Sequence, residues 1–285
     1  MHSARAHTLT TPDGTVLAAT LYGDAADKPV LMASALGVPQ TYYAPFAQWL
    51  SARGYLVMTF DLRGMAASRK PGVHLRKVRG DMLTWAQQDF ATAVEDLCAL
   101  SGQPQITVIG HSLGAHHPAM STAAAQGRIA RLVAVASGSG YWRDWAPSTR
   151  NLAPLMLHLA SPVLTPLFGY FPGKRLGMVG DLPPGVMRQW TRWCRHPGFA
   201  WGAEPHKLLP VLATARYPIR ALAFSDDEIM TLRAVHKLLQ ATPNAPSTVQ
   251  TITPQSVGAK RIGHLGAFRA QHEKQLWPRV ADQLV

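Results

Sequence analysis

A run rich in β-branched residues, Ile106-Thr107-Val108-Ile109, leads directly into Gly110-His111-Ser112-Leu113-Gly114, and a helix-compatible segment follows. Such a pattern leaves the chain little freedom. A buried strand ends, the backbone turns sharply, and Ser112 is left at the tip, the arrangement called a nucleophile elbow. Backbone passes close on both sides of the serine. A Cβ at position 110 or 114 would clash there, so only glycine or another very small residue fits.

The surrounding sequence repeats one rhythm. Val30–Ala35 and Tyr55–Phe60 read as short buried strands, and Leu132–Ala136 and Ile219–Phe224 as two more, with Thr248–Ile252 last. Helical spacing occupies Tyr43–Arg53, Asp81–Leu100, the stretch from Ser112 to about Gly127, and Leu232–Leu239. Ahead of these, Thr8–Gly23 reads as a hairpin turning at Thr11-Pro12-Asp13-Gly14, and a closing helix is expected from Ala267 onward. Alternating strands and helices imply an α/β fold: a mostly parallel twisted sheet with helices on both faces.

The rhythm stops between Ser137 and Tyr217. Five of the eight tryptophans fall there, among many Pro, Met, Leu and Gly residues. This stretch reads as a helical lid, so the expected organisation is a core of residues 1–137 and 218–285 with a lid at 138–217. Within the lid, Asn151–Gly173 contains no Asp, Glu, Lys or Arg. Its length suggests a membrane span. Pro154, Pro162, Pro166 and Pro172, together with His158, argue instead for broken lid helices with an apolar inner face. A membrane-touching surface is the minor alternative.

Composition narrows the function classes. A chain of 285 residues with 47% hydrophobic content supports a large core and is not disordered. Residues Met1–His7 have no apolar run, so no secretory signal is expected. Cys98 and Cys194 lie far apart and read as reduced thiols of a cytoplasmic protein. The net charge of +12 is concentrated partly in Arg69, Lys70, Arg76, Lys77 and Arg79 and in Arg188, Arg192 and Arg195. Neither cluster has the aromatic platform of a nucleic-acid reader, so no nucleic-acid partner is expected. A solvated basic surface is the main reading, with weak contact to anionic substrates or lipid headgroups next.

A serine hydroxyl needs a base within hydrogen-bond reach, and the base needs an orienting anion. His264 follows the last strand in the glycine-flanked loop Gly263-His264-Leu265-Gly266, where it can reach Ser112. Asp226 and Asp227 both follow the Ile219–Phe224 strand, giving the order serine, acid, histidine; only one of them can face His264. The other, and Glu228, are expected in loop solvation or in capping a helix before Thr231. His111 should project away from Ser112, while His116 and His117 are expected in packing or supporting polar contacts. A zinc site from these three lacks a fourth ligand and suitable spacing, so neither metal nor other cofactor is expected. Backbone amides of Leu36 and Leu113 are the candidate oxyanion donors.

These motifs resemble those of the α/β-hydrolase superfamily over nearly the whole chain outside the lid. The resemblance rests on Gly110–Gly114, Asp61-Leu62-Arg63-Gly64, Ser225-Asp226-Asp227-Glu228 and Gly263-His264. Many members end a strand in Gly-x-x-Asp-x-x-x-Pro, and laying Phe224–Thr231 on that pattern selects Asp227 as the acid. Ser34-Ala35 stands where members usually carry His-Gly, and Gly64-Met65-Ala66-Ala67-Ser68 where many carry Gly-His-Gly-x-Ser. The latter loop usually borders the substrate entrance. The lid is similar to those of bacterial hydrolases near the esterase, lipase and serine-aminopeptidase-like branches.

The resulting expectation is a serine hydrolase acting on a small-molecule carboxylic ester with an apolar acyl group. Arg192 or Arg195 is a candidate for a negative group on the substrate, and Trp190 and Met65 are further candidate contacts. An acyltransferase or an amide or peptide hydrolase would use the same three residues. A non-catalytic binding protein or a membrane-peripheral protein on this fold is the alternative from a different class. The sequence does not define an oligomeric state.

Overall fold

A computed structural model describes residues 4–178 and 180–285. Residues 1–3, part of the segment searched for a secretory signal, lie outside the described residues, as does Val179 of the expected lid. Eight strands form one sheet: β1 (Arg5–Thr10), β2 (Val16–Tyr22), β3 (Lys28–Ala33), β4 (Tyr55–Phe60), β5 (Ile106–His111), β6 (Ile129–Val135), β7 (Ile219–Phe224) and β8 (Ser247–Ile252). Their order is β1-β2-β4-β3-β5-β6-β7-β8. The β1–β2 and β2–β4 pairs are antiparallel, and every other pair is parallel. The mostly parallel sheet agrees with the α/β reading of the sequence.

Side chains alternate along each strand and so supply two cores. Leu31, Met58, Val108 and Leu132 pack on one face with Trp85, Phe90 and Val94 from the helical stretch 82–101. Val30, Val57, Ile109 and Val133 pack on the other with Phe46, Leu50, Phe268 and Trp277. Strand β5 lies between β3 and β6, pairing Gly110 with Ala33 and with Ala134. The elbow therefore leaves the middle of the sheet, at the carboxyl ends of its parallel strands.

The Asp61-Leu62-Arg63-Gly64 segment braces this edge. Asp61 accepts from the Gln40 amide at 2.8 Å and the Ala67 amide at 3.1 Å. The Arg63 side chain donates to buried Asp89 at 2.7 Å and to Asp13 at 2.6 Å. Burial pushes the Asp89 carboxyl up to about 6, opposed by the Arg63 amide and guanidinium.

Three local expectations are corrected. The helix after Ser112 does not run unbroken to Gly127. It is a 3-10 turn, Ser112–Ala115, then the short helices His117–Met120 and Ala123–Gly127, interrupted at Ser121. The Ser121 side chain bonds the Ala86 carbonyl at 2.9 Å instead. The closing helix is likewise mostly turns, with α-helix only at Trp277–Ala281, where Pro278 occupies the first turn.

The third correction concerns the prolines. Residues Pro147–Phe168 form one helical run of 22 residues, with a turn at Asn151–Leu152 and a π turn at Leu155–Ala160. Pro154, Pro162 and Pro166 are all exposed, and so are Arg150, His158 and Pro162, the residues four places earlier. Each carbonyl that loses its donor thus lies on the exposed side, so the helical path resumes after the turn before Pro154 and continues through Pro162 and Pro166.

The helices between β6 and β7 share the core instead of standing apart from it. Val186, Trp193, Cys194 and Leu208 are buried with residues of the sheet and of stretch 82–101. Gln189 Oε1 accepts from the Met82 amide at 2.7 Å. Cys98 and Cys194 are both free and buried.

Candidate active site

The elbow is built from close approaches. Ser112 has φ of +52°, the left-handed region that costs a residue with a Cβ. A Cβ on Gly114 would lie 2.0 Å from the Ala33 carbonyl oxygen, and one on Gly110 would lie 2.4 Å from Ala115 Cα. Gly114 thus seats the turn directly against the end of β3, whose following loop contains Leu36, while Gly110 lets the turn fold back onto itself. Ser137 fastens the other side, its hydroxyl donating to the Ser112 carbonyl at 2.7 Å.

Ser112 Oγ lies 2.9 Å from His264 Nε2. On the other side of the ring, His264 Nδ1 is 2.9 Å from Asp227 Oδ2 and 3.1 Å from Oδ1. All three side chains are buried. Asp227 Oδ1 also accepts from the Ile229 and Met230 amides at 2.8 Å each. With N–H groups surrounding the carboxylate, Nδ1 carries the ring proton, leaving Nε2 free to accept from Ser112.

Asp226 does not face the imidazole. Its Oδ2 accepts from the Ile262 amide at 2.8 Å and the Gly263 amide at 3.2 Å. Glu228 Oε2 accepts from the His264 amide at 3.0 Å and meets Arg261 at 3.4 Å. Burial raises the Glu228 carboxyl, but the His264 amide, the Arg261 charge and the other groups facing it prevail and hold it below its ordinary value. The expected loop-solvation and capping roles for these two residues are therefore corrected. Both hold the backbone on which His264 is carried, while Thr231 caps the next helix through the Ala234 amide.

His111 does point away from Ser112. Its Nε2 is 2.9 Å from the His264 carbonyl oxygen and its Nδ1 is 2.9 Å from Tyr43 Oη. Tyr43 Oη also accepts from the Ala35 amide at 2.8 Å. Burial pushes the His111 ring down to about 3, helped by the neighbouring His264 and opposed by the bond to its carbonyl, so His111 is neutral. Sequence reasoning did not find this bridge; the only signal was a polar residue inside an elbow whose surroundings are apolar.

A family model described as the alpha/beta hydrolase family matches residues 30–272. The chain belongs to the α/β hydrolase family. This hydrolase also shares its fold with solved structures along almost its full length. One is Est816, an N-acyl homoserine lactone degrading enzyme, with 17% identity, 96% of this chain and 99% of that one covered, and a TM-score of 0.62. The esterase Pf2001 of Pyrococcus furiosus has 14% identity over 100% of this chain and 94% of its own, with a TM-score of 0.57. A thioesterase domain from the curacin biosynthetic pathway has 14% identity, coverage of 99% and 100%, and a TM-score of 0.57. No curated protein matches the chain.

The hydrolase has a cavity of about 640 Å³ above Ser112. Leu36, Leu113, Ser112 and His264 form its floor, and Trp145, Met156, Phe171, Met187, Trp190 and Phe199 are among the residues around them. Leu113 sits in the first turn of the 3-10 helix, where its amide has no intrahelical acceptor. His116 also lines the cavity, with Nε2 3.1 Å from the Gly138 carbonyl; burial pushes its ring down to about 4. Glu228 and Thr149 add polar groups at its edge, and the remaining walls are almost wholly apolar.

Of the candidate substrate contacts, Trp190 lines the cavity and three others do not. Arg192 is paired with Glu204 on the exposed side of the helix Pro184–Arg195. Arg195 donates to the Leu157 carbonyl. Met65 is buried in the core. Glu204, itself nearly buried, holds the Arg192 guanidinium on the outer side of the helix Pro184–Arg195, away from the cavity.

Proposed function

We propose that this hydrolase cleaves carboxylic esters of apolar acyl groups through an acyl-enzyme on Ser112. The reading is carried by the Ser112–His264–Asp227 hydrogen-bonded chain opening into an apolar cavity. Ser112 Oγ attacks the ester carbonyl as its proton passes to His264 Nε2. Asp227 stabilises the imidazolium and keeps the ring in its tautomer. The Leu36 and Leu113 amides receive the developing oxyanion; one such donor contributes about 3 kcal/mol to lowering the barrier in comparable sites. His264 then protonates the departing alcohol. Water, activated by the same histidine, attacks the acyl carbon, and the carboxylic acid leaves with Ser112 restored.

Residues 138–217 serve in this reading as the lid, with 1–137 and 218–285 as the catalytic core, in a cytoplasmic protein. The lid side chains exclude water from the acyl group and leave the leaving alcohol little selected, since the cavity contains few polar partners. Fluorophosphonate labelling tests the proposal directly. Wild type should be labelled and Ser112→Ala should not; no labelling of wild type, or equal labelling of both, contradicts it. A p-nitrophenyl ester series should then show turnover rising with acyl length until the cavity is filled.

A further inference from the structure

The helix Pro147–Phe168 is amphipathic in the reverse sense. Its buried side consists of Ala153, Leu157, Ser161 and Thr165, three of them small or hydroxylic. The Ser161 and Thr191 hydroxyls bond each other there at 2.6 Å. Its outer side carries Leu152, Leu155, Leu159, Val163 and Leu167, between 50% and 70% exposed. Spacing of three and four residues aligns these five in one stripe. Leu176 and Met178, in the turn beyond the helix, extend the apolar surface at 44% and 46% exposure.

Positive charge flanks this stripe at its carboxyl-terminal end. The Arg175 guanidinium lies 5.5 Å from the Phe168 ring centroid, and Arg76 packs against Gly169. Lys77 and Lys174 are exposed beside them in sequence. Among the described residues, none of these four cations is in an ion pair. Asp181 is the sole acidic residue between positions 145 and 203.

The cavity opens through the same surface. Leu152, Leu155, Leu176 and Met178 both line the cavity and belong to the exposed apolar patch. An apolar stripe bordered by unpaired cations, with the mouth of an apolar cavity inside it, matches the interface of an anionic bilayer. A symmetric second copy fits less well, because it would present this same face, whose segment 145–203 offers only Asp181 to meet four unpaired cations. Spanning is also disfavoured: it would pull the helix off its seat on Thr191 and Arg195, although its length and composition suffice for a span.

We propose that the outer face of Pro147–Phe168 docks flat on an anionic lipid surface, with Arg76, Lys77, Lys174 and Arg175 meeting headgroups. Leu159, Val163 and Leu167 enter the acyl boundary. The cavity mouth then faces the bilayer, so the ester reaches Ser112 from the lipid phase as a membrane-resident amphiphile. That last step rests on the hydrolase reading above; the docking itself does not.

The experiment is flotation of the full-length protein with vesicles of phosphatidylcholine alone or mixed with phosphatidylglycerol. Wild type should float with the anionic vesicles and be released by high salt. Leu159→Glu with Val163→Glu should lower binding by about tenfold or more, and Arg76→Glu with Lys174→Glu should do so for anionic vesicles. None of these residues lines the cavity, so p-nitrophenyl butyrate turnover should persist in all variants and report that they are folded. Absence of wild-type binding at low salt, or equal binding by the Leu159/Val163 variant, overturns the proposal. So does a wild-type dimer that the same variant converts to monomer. Binding without fluorophosphonate labelling would remove the hydrolase reading and leave docking standing; labelling without binding would do the reverse.

Discussion

His111 Nε2 donates to the backbone carbonyl of His264, 2.9 Å away, joining the second residue of the elbow to the loop that carries the candidate base. The direction of every proton in this bridge is fixed. The carbonyl can only accept, so Nε2 carries hydrogen and Nδ1 does not. Tyr43 Oη must then donate to Nδ1 while accepting from the Ala35 amide. One neutral, buried chain thereby links the segment beside Leu36 to the segment beside His264.

Removing the middle of that chain tests it. Tyr43→Phe leaves the Ala35 amide and His111 Nδ1 buried without partners. Each such group typically costs about 1–3 kcal/mol. Urea unfolding should register the loss, and kcat should fall more than KM rises, because the oxyanion loop and base shift relative to each other. Full stability in the phenylalanine variant would contradict the assigned bridge.

The two neighbouring aspartates should separate cleanly. Asp227→Asn presents an amide to His264 and favours the wrong tautomer, which in a comparable triad lowers kcat by about 10⁴. Asp226→Ala frees the Ile262 and Gly263 amides but leaves the ring's partner intact. Its expected cost is a smaller loss of activity with a lowered unfolding midpoint. Steady-state kinetics on both variants decide the assignment; a larger loss in the Asp226 variant would reverse it.

Acid should destabilise the fold through its buried imidazoles. Burial holds His111 down to about 3, His116 to about 4 and His117 to about 3. An unfolded histidine titrates near 6.5, so between these values the unfolded chain binds more protons and stability falls as pH falls. Each ring contributes a slope approaching about 1.4 kcal/mol per pH unit in that window. His117→Leu, which also removes a buried Nε2 without a partner, should flatten the profile of urea midpoint against pH from 7 to 5. An unchanged profile would show that His117 is not among the groups responsible.

Gly114→Ala is a steric test of the elbow. The added methyl would sit 2.0 Å from the Ala33 carbonyl oxygen, which is backbone and cannot rotate away. The variant should be strongly destabilised or should push the Leu36 loop away, with at least about a hundredfold loss of activity, as for removal of an oxyanion donor. Thermal unfolding and ester turnover measured together distinguish a collapsed fold from a displaced loop.

What could be read from sequence follows from how locally each feature is encoded. The strands around Ser112 were legible because a buried parallel strand needs a short continuous apolar run. The elbow was legible because its glycines are demanded by backbone approach. The helical run through Pro162 and Pro166 was not, because a proline's cost depends on which side of the helix its freed carbonyl faces. Asp226 and Glu228 were seen only as spare carboxylates, since their partners are amides some 36 residues later. Arg192 and Arg195 were misjudged for a related reason: helical spacing gives their common side but not the position of Glu204.

Three consecutive residues, Asp226, Asp227 and Glu228, grip the loop at 262–264, so the candidate base and the candidate acid are registered to the same end of β7. They move as one piece if that end of the sheet shifts. Ser112 belongs to another piece, anchored on β5 and β3. The site is thus two rigid halves meeting at the Ser112–His264 hydrogen bond, with His111 as the brace between them. A relative shift of β5 and β7 would therefore be felt at the Ser112–His264 hydrogen bond and at the His111 brace together.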